Sequence, residues 1–131
     1  MAGFTDTLAI SASGMRAQAE RLRHTTENVA NADTPGYRRK TVAFRAAMAA
    51  EGVAPGEVRT GRVQLDQTEL ERIYDPGNRL SDETGYYDGS NVDLVVEIAD
   101  AREAQRSYEA NLRLFDQSRQ MSAGLLDLLR R

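Results

Sequence analysis

Few residues in this 131-residue chain are of types that do chemistry, and their spacing limits what they can do. The one histidine, His24, has Glu20 and Asn28 four residues away on either side, so on a helix the three share a face. A base or a metal ligand would fit that setting. With no second histidine to complete a metal site, we read His24 as a surface or interface residue. The carboxylates Glu69, Glu71, Asp75, Asp82 and Glu83 lack the spacing of a calcium loop and read as a solvated surface. Cysteine is absent, which excludes thiol nucleophiles, thiolate metal sites and disulfides. No glycine-rich phosphate loop and no Ser/His/Asp arrangement is present. The basic run Arg38-Arg39-Lys40 is either a solvated turn or a contact for an acidic partner or phosphate. The expectation is a protein that is not an enzyme, with no cofactor, no metal and no small-molecule substrate.

The elements that carry these residues are two long helices. In the first, Leu8, Met15, Leu22 and Val29 recur every seven residues, and Ala12, Ala19 and Thr26 follow the first three by four. That is a heptad seam with small residues at one of its two positions, which lets a partner helix approach closely. Arg16, Glu20, Arg23 and Glu27 on the other face are spaced to pair along the helix. Gly14 weakens this helix by about 1 kcal/mol relative to alanine. The last segment, from Asn91 or Asp93 as cap to about Leu129, carries Ile98, Ala101, Gln105, Tyr108, Leu112, Phe115, Ser122, Leu126 and Leu129 on one stripe, interrupted by Arg119. At ~1.5 Å per residue the helices are ~40 and ~55 Å long, and neither can bury its stripe alone.

Between them, residues 41–90 read as a small, loose β-rich insert. One strand is expected over Val58 to Leu65 and a second over Leu70 to Tyr74, stopped by the turn Asp75-Pro76-Gly77-Asn78. A third extended piece spans Gly85 to Gly89. Residues 45–50, rich in alanine, are read as helical or frayed, and Gly52, Pro55 and Gly56 as a loop. The fold class is mainly α: long N- and C-terminal helices packed as an antiparallel coiled-coil hairpin, with the insert at its tip. The parts of this single domain are 1–36 (helix and exit), 37–90 (insert) and 91–131 (second helix).

Composition narrows the class. Hydrophobic residues make up 40% of the chain and aromatic residues 6%, with no tryptophan, enough for a thin core only. The net charge of -3 argues against nucleic acid. Residues 1–50 carry seven basic side chains against four acidic, residues 51–91 four against nine, and residues 92–131 six against seven. Of the basic residues only Lys40 is a lysine, which we take as genomic composition. No apolar run approaches the ~20 residues of a membrane span, and Met1 to Ser13 lacks the pattern of a cleavable signal. Any route out of the cytoplasm is then expected to read no such signal.

The most specific string is Asn28-Val29-Ala30-Asn31-Ala32-Asp33-Thr34-Pro35-Gly36-Tyr37. Pro35 disfavours a helical Thr34 and has no amide proton, Gly36 permits a positive φ, and Asn31 and Asp33 can tie back onto the local backbone. The string is a helix with a specified exit. It resembles the signature of the flagellar rod and hook protein family, Ala-Asn-x-x-Thr-Pro-Gly-Tyr after an N-terminal helix. Two further blocks join it: Tyr74-Asp75-Pro76-Gly77-Asn78, and Asn91 through Glu97 continuing to Arg106-Ser107-Tyr108-Glu109-Ala110-Asn111. With the short length, the combination is similar to the C-type proximal rod proteins of the bacterial flagellar basal body. Distal rod and hook proteins are longer, and the B-type usually lacks the Tyr-Asp-Pro block.

The resemblance implies a structural subunit of the proximal rod, exported unfolded through the flagellar type III apparatus without a cleaved signal. Its terminal helices would polymerise around the export channel in the periplasm. Implied partners are copies of itself, the B-, F- and G-type rod proteins, the proteins joining membrane ring to export gate, and the export apparatus in transit. The export-gate motif Phe-x-x-x-Phe is degenerate here, since Phe44 is followed at that spacing by Met48. Leu8, Met15, Leu22 and Val29, with Tyr108, Leu112, Phe115, Leu126 and Leu129, are expected to form the helix seams. Asn28 belongs to the motif, and Asn31, Thr34, Pro35, Gly36 and Tyr37 are expected to fix the exit and touch a neighbouring subunit. The alternative is a cytosolic helical adaptor or flagellar export chaperone, compact and never part of a filament.

Overall fold

The computed structural model describes residues 2–46 and 55–131. The alanine-rich run beyond Ala46, Met48 and Gly52 lie outside the described residues.

Helix α1 spans Ala2–Ala30. Its last backbone bond runs from Asn31 N to Glu27 O (3.0 Å), four residues ahead of the proline that forbids continuation. Helix α2 spans Leu94–Arg130. Of the two candidate caps, Asp93 serves: it is extended (φ -103°) and accepts the Val95 amide at 3.0 Å. The helices lie side by side and run in opposite directions. Asn28 meets Glu97, Arg21 meets Asp100, and Gly14 lies against Asn111.

The side chains that the two helices bury are not those of the large apolar stripes. The buried residues of α1 are Ser11, Ser13, Gly14, Ala17, His24, Thr25 and Asn28, and those of α2 are Glu97, Ala104 and Ser118. Among the described residues, Ala17 and Ala104 are the only buried hydrophobic side chains. Small residues allow the backbones to come close, and the glycine is part of that. A Cβ at Gly14 would sit 2.8 Å from the Asn111 carboxamide. The hydroxyls cost little here because each bonds back to its own helix: Ser11 to Thr7 O (2.8 Å), Ser13 to Ile10 O (2.8 Å) and Thr25 to Arg21 O (2.9 Å).

Among the described residues, the insert contains three two-stranded antiparallel pairs. Strand β1 (Lys40–Thr41) pairs with β4 (Gln64–Leu65), β2 (Phe44–Ala46) with β3 (Val58–Thr60), and β5 (Arg72–Tyr74) with β6 (Tyr86–Asp88). The run 58–65, expected as one strand, is broken at Gly61, whose amide turns to Ala43 O (2.7 Å). Arg45 and Ala46, read as helical or frayed, are in β2. The pair β2–β3 lies back along α1: Ser13 Oγ accepts the Val58 amide at 3.0 Å, and the Thr60 hydroxyl donates to Glu20. Glu20 and Glu27 thus turn to the insert instead of pairing along the helix.

Candidate functional site

The two motif blocks, over fifty residues apart in sequence, meet where α1 ends and α2 begins. Asn28, 1% exposed, is the hub. Its Oδ1 accepts the Tyr37 hydroxyl (2.7 Å) and the Lys40 amide (2.9 Å), and its Nδ2 donates to Lys40 O (3.0 Å) and Glu97 Oε2 (3.3 Å). The carboxamide therefore pairs with Lys40 as a neighbouring strand would, holding the returning chain against the helix.

Glu97 is fully buried, and the other side of its carboxylate accepts Arg39 Nε. Arg39 also reaches Asp100 Oδ2 (2.8 Å), and its backbone amide donates to Asn91 Oδ1 (2.6 Å). Burial by itself would lower the pKa of Arg39, but the hydrogen bond and charge of Glu97 outweigh it and the net shift is upward. Asn91 Nδ2 donates to Asp66 O (2.9 Å) and Thr68 O (3.2 Å), the same carbonyls that Arg38 holds at 3.2 Å each. Lys40 Nζ lies 2.9 Å from Glu27 Oε2, and that hydrogen bond lowers the Glu27 pKa and raises that of Lys40. The basic run is not a free turn. All three side chains are engaged within the chain. Burial raises the Tyr37 phenol above its usual range.

The exit itself is pinned by backbone. Gly36 has φ +74°, and its amide donates to Asp88 O (3.2 Å) and Gly89 O (3.0 Å). Ser90 Oγ donates to Ala32 O. Asn31 Nδ2 holds Glu27 O (2.9 Å), and the Thr34 hydroxyl donates to Asn31 Oδ1 (3.1 Å). Thr34, Pro35 and Gly36 are exposed, whereas Asn31 and Tyr37 are half-buried.

His24 is buried instead of lying on the surface, 3.7 Å from Glu20 Oε1 and 4.0 Å from Glu27 Oε2. It lines a cleft of about 250 Å³ with Arg21, Arg39, Glu97 and Asp100, whose charges pair with one another. The ion pairs of the cleft are satisfied, whereas neither ring nitrogen of His24 has a hydrogen-bond partner among the described residues.

Of the seam residues, Leu8, Met15, Leu22 and Phe115 are half-buried, and Val29, Tyr108, Leu112, Leu126 and Leu129 are exposed. Leu22, Tyr108 and Leu112 flank a broad apolar groove between the helices. Reading the sequence missed Glu97, Asn91 and Arg39 as partners of the exit motif. The one signal was a carboxylate set among Val95, Val96 and Ile98, where an apolar face would otherwise run.

No helix among the described residues is long and apolar enough to cross a membrane. Residues 8–38 match the family described as flagella basal body rod protein, and residues 83–128 match the C-terminal family of flagellar basal body rod FlgEFG proteins. The flagellar basal-body rod protein FlgC of Agrobacterium fabrum is 42% identical over 129 residues, covering 92% of this chain and 91% of its own. Its counterpart from Salmonella typhimurium is 37% identical over 125 residues (91% and 92%), and that of Bacillus subtilis 28% over 143 (93% and 95%). Both matched regions contain half of the junction: the exit motif lies in the first, Asn91 and Glu97 in the second. The chain belongs to the FlgC family of flagellar basal-body rod proteins, structural and not enzymatic.

Proposed function

We propose that this chain is a structural subunit of the proximal rod, exported by the flagellar type III apparatus and polymerised through its two terminal helices. The observation that carries the reading is the distribution of side chains on the helix pair: small and polar residues hold the buried positions, while the large apolar side chains stay half-buried or exposed. Leu112, Leu126 and Leu129 are exposed, Leu129 at 78%. Burying such a side chain contributes about 1.5–3 kcal/mol, a gain open to assembly and not to the lone chain. The helices form an antiparallel coiled-coil hairpin in the assembled rod. Leu8, Met15, Leu22, Val29, Tyr108, Leu112, Phe115, Leu126 and Leu129 then meet neighbouring helices. The exposed Thr34-Pro35-Gly36 corner touches the next subunit, with copies of this chain and the B-, F- and G-type rod proteins as neighbours.

Ordering a chain on assembly costs roughly 1–2 kcal/mol per backbone residue. A subunit that completes its burial only among neighbours can therefore travel unfolded and set at its destination. The test is deletion of the gene in its host, with swimming scored and basal bodies purified. Loss of swimming, with rods stopped at the membrane ring and restored by a plasmid copy, is the expected result. Normal rods and swimming would overturn the reading.

A further inference from the structure

The insert carries two faces of opposite charge. On β2–β3 the register sets Arg45 directly opposite Arg59, a like-charge cross-strand pair that is unfavourable unless an anion meets it. Arg62 follows just past the end of β3. All three are exposed, and none has an ion pair among the described residues. On β5–β6 and its approaches, residues 69–88 carry six carboxylates and two arginines. Arg72 is taken up by Asp82 (2.8 Å) and Asp88 (3.0 Å), which leaves Glu69, Glu71 and Glu83 exposed without a cationic partner among the described residues. Leu80, between them in sequence, is 63% exposed, and Tyr74, 64% exposed, lies with Arg72 on the face of β5 opposite Glu71.

The faces cannot meet within one chain. The arginine hairpin is fixed beside Ser13 and Glu20 of α1, and the acidic hairpin beyond Ala32 and Gly36. From Glu20 to the far side of Ala32 is about 18 Å of helix axis. Complementary patches at different levels of one molecule suit a heterologous contact, which generates an open helical array where the rotation does not close.

We propose that Arg45, Arg59 and Arg62 of one copy dock on Glu69, Glu71 and Glu83 of a second copy in the assembled rod. This rests on the rod-subunit reading above. Because the chain has no cysteine, Arg59→Cys with Glu71→Cys in one chain gives a unique pair for a short bismaleimide in purified basal bodies. A ladder of cross-linked copies is expected from the double variant, with no ladder from either single variant. No ladder from the double variant, in basal bodies that contain it, overturns the proposal. Charge reversal is the second measurement. Arg45→Glu/Arg59→Glu/Arg62→Glu and Glu69→Arg/Glu71→Arg/Glu83→Arg should each lose swimming, and the chain carrying all six should regain it. If both reversed chains swim like wild type, or the six-fold swap is secreted and folded but does not swim, the proposal fails. A deletion strain that swims refutes the rod reading itself, whereas a failed swap beside a non-swimming deletion refutes only the docking.

Discussion

Asn28 can be replaced by alanine or by aspartate, and the two changes separate hydrogen bonding from charge at the junction. Alanine removes all four bonds of the carboxamide, two of them to the Lys40 backbone. The Tyr37 hydroxyl is half-buried and regains water, and Glu97 keeps Arg39 on its other oxygen. The Lys40 amide and carbonyl and the second Glu97 oxygen are left short. At about 1 kcal/mol net for each, N28A should lose about 3 kcal/mol. Aspartate keeps the shape and the acceptor bonds but turns the donor into a carboxylate beside Glu97, 3.3 Å away in the native pair. Two like charges ~4 Å apart at an effective dielectric constant of about 20 repel by about 4 kcal/mol, part of which Arg39 and Lys40 offset. N28D should therefore be at least as unstable as N28A near neutral pH. One of its two carboxyls takes up a proton as pH falls, so its deficit should shrink between about pH 7 and pH 5 while that of N28A stays flat. Urea unfolding of the purified chains, followed by far-UV circular dichroism at both pH values, reads this out. N28D within about 0.5 kcal/mol of wild type near neutral pH, the ordinary range of a surface change, would refute the junction as described. So would a pH-independent deficit.

Gly14→Leu should wedge α1 from α2 and cost roughly 1–3 kcal/mol by overpacking. Gly14→Ala gains up to about 1 kcal/mol of helix propensity only when Asn111→Ala clears its Cβ, so a double-mutant cycle on unfolding free energies should show coupling. The Tyr37 phenol should titrate above the usual 10.0 when phenolate absorbance is followed on raising pH. Because its neutral form is the one favoured by the fold, the stability it contributes is intact below its unfolded pKa and fades as pH rises through the raised value. Tyr37→Phe should abolish that alkaline step. Gly36→Ala, at φ +74°, should cost about 1–2 kcal/mol, and combined with Pro35→Ala should let α1 overrun and stop swimming. A double variant that swims like wild type would show the exit to be dispensable.

Much of the fold is local in origin and so legible from residues. The helix periodicity, Pro35 with Gly36 at the exit, the Asp75-Pro76-Gly77 turn and the Asp93 cap act over a few residues, and the observed elements follow them to within a few positions. The short strands β1 and β2 were not legible, because Lys40 and Arg45 pair with residues some 14 to 25 positions on and have no strand pattern of their own. The burial of His24, read as a surface or interface residue, was not legible because it comes from the insert folding back over α1, a long-range event.

The sequence by itself determined two long helices, a polar β insert, an abrupt break between helix and insert, and the family, since each rests on periodicity, turn chemistry or a contiguous motif. Only the tertiary structure decided which face of each helix turns inward. The heptad leucines offer the larger apolar area, yet Ser11, Gly14, Ala17 and Ala104 hold the buried positions, because close backbone approach needs small side chains and Gly14 fits against Asn111. It also decided that Asn28, Arg39, Asn91 and Glu97 act together. No spacing rule links residues sixty positions apart, and a buried carboxylate is tolerated at Glu97 only where an arginine and an amide converge on it.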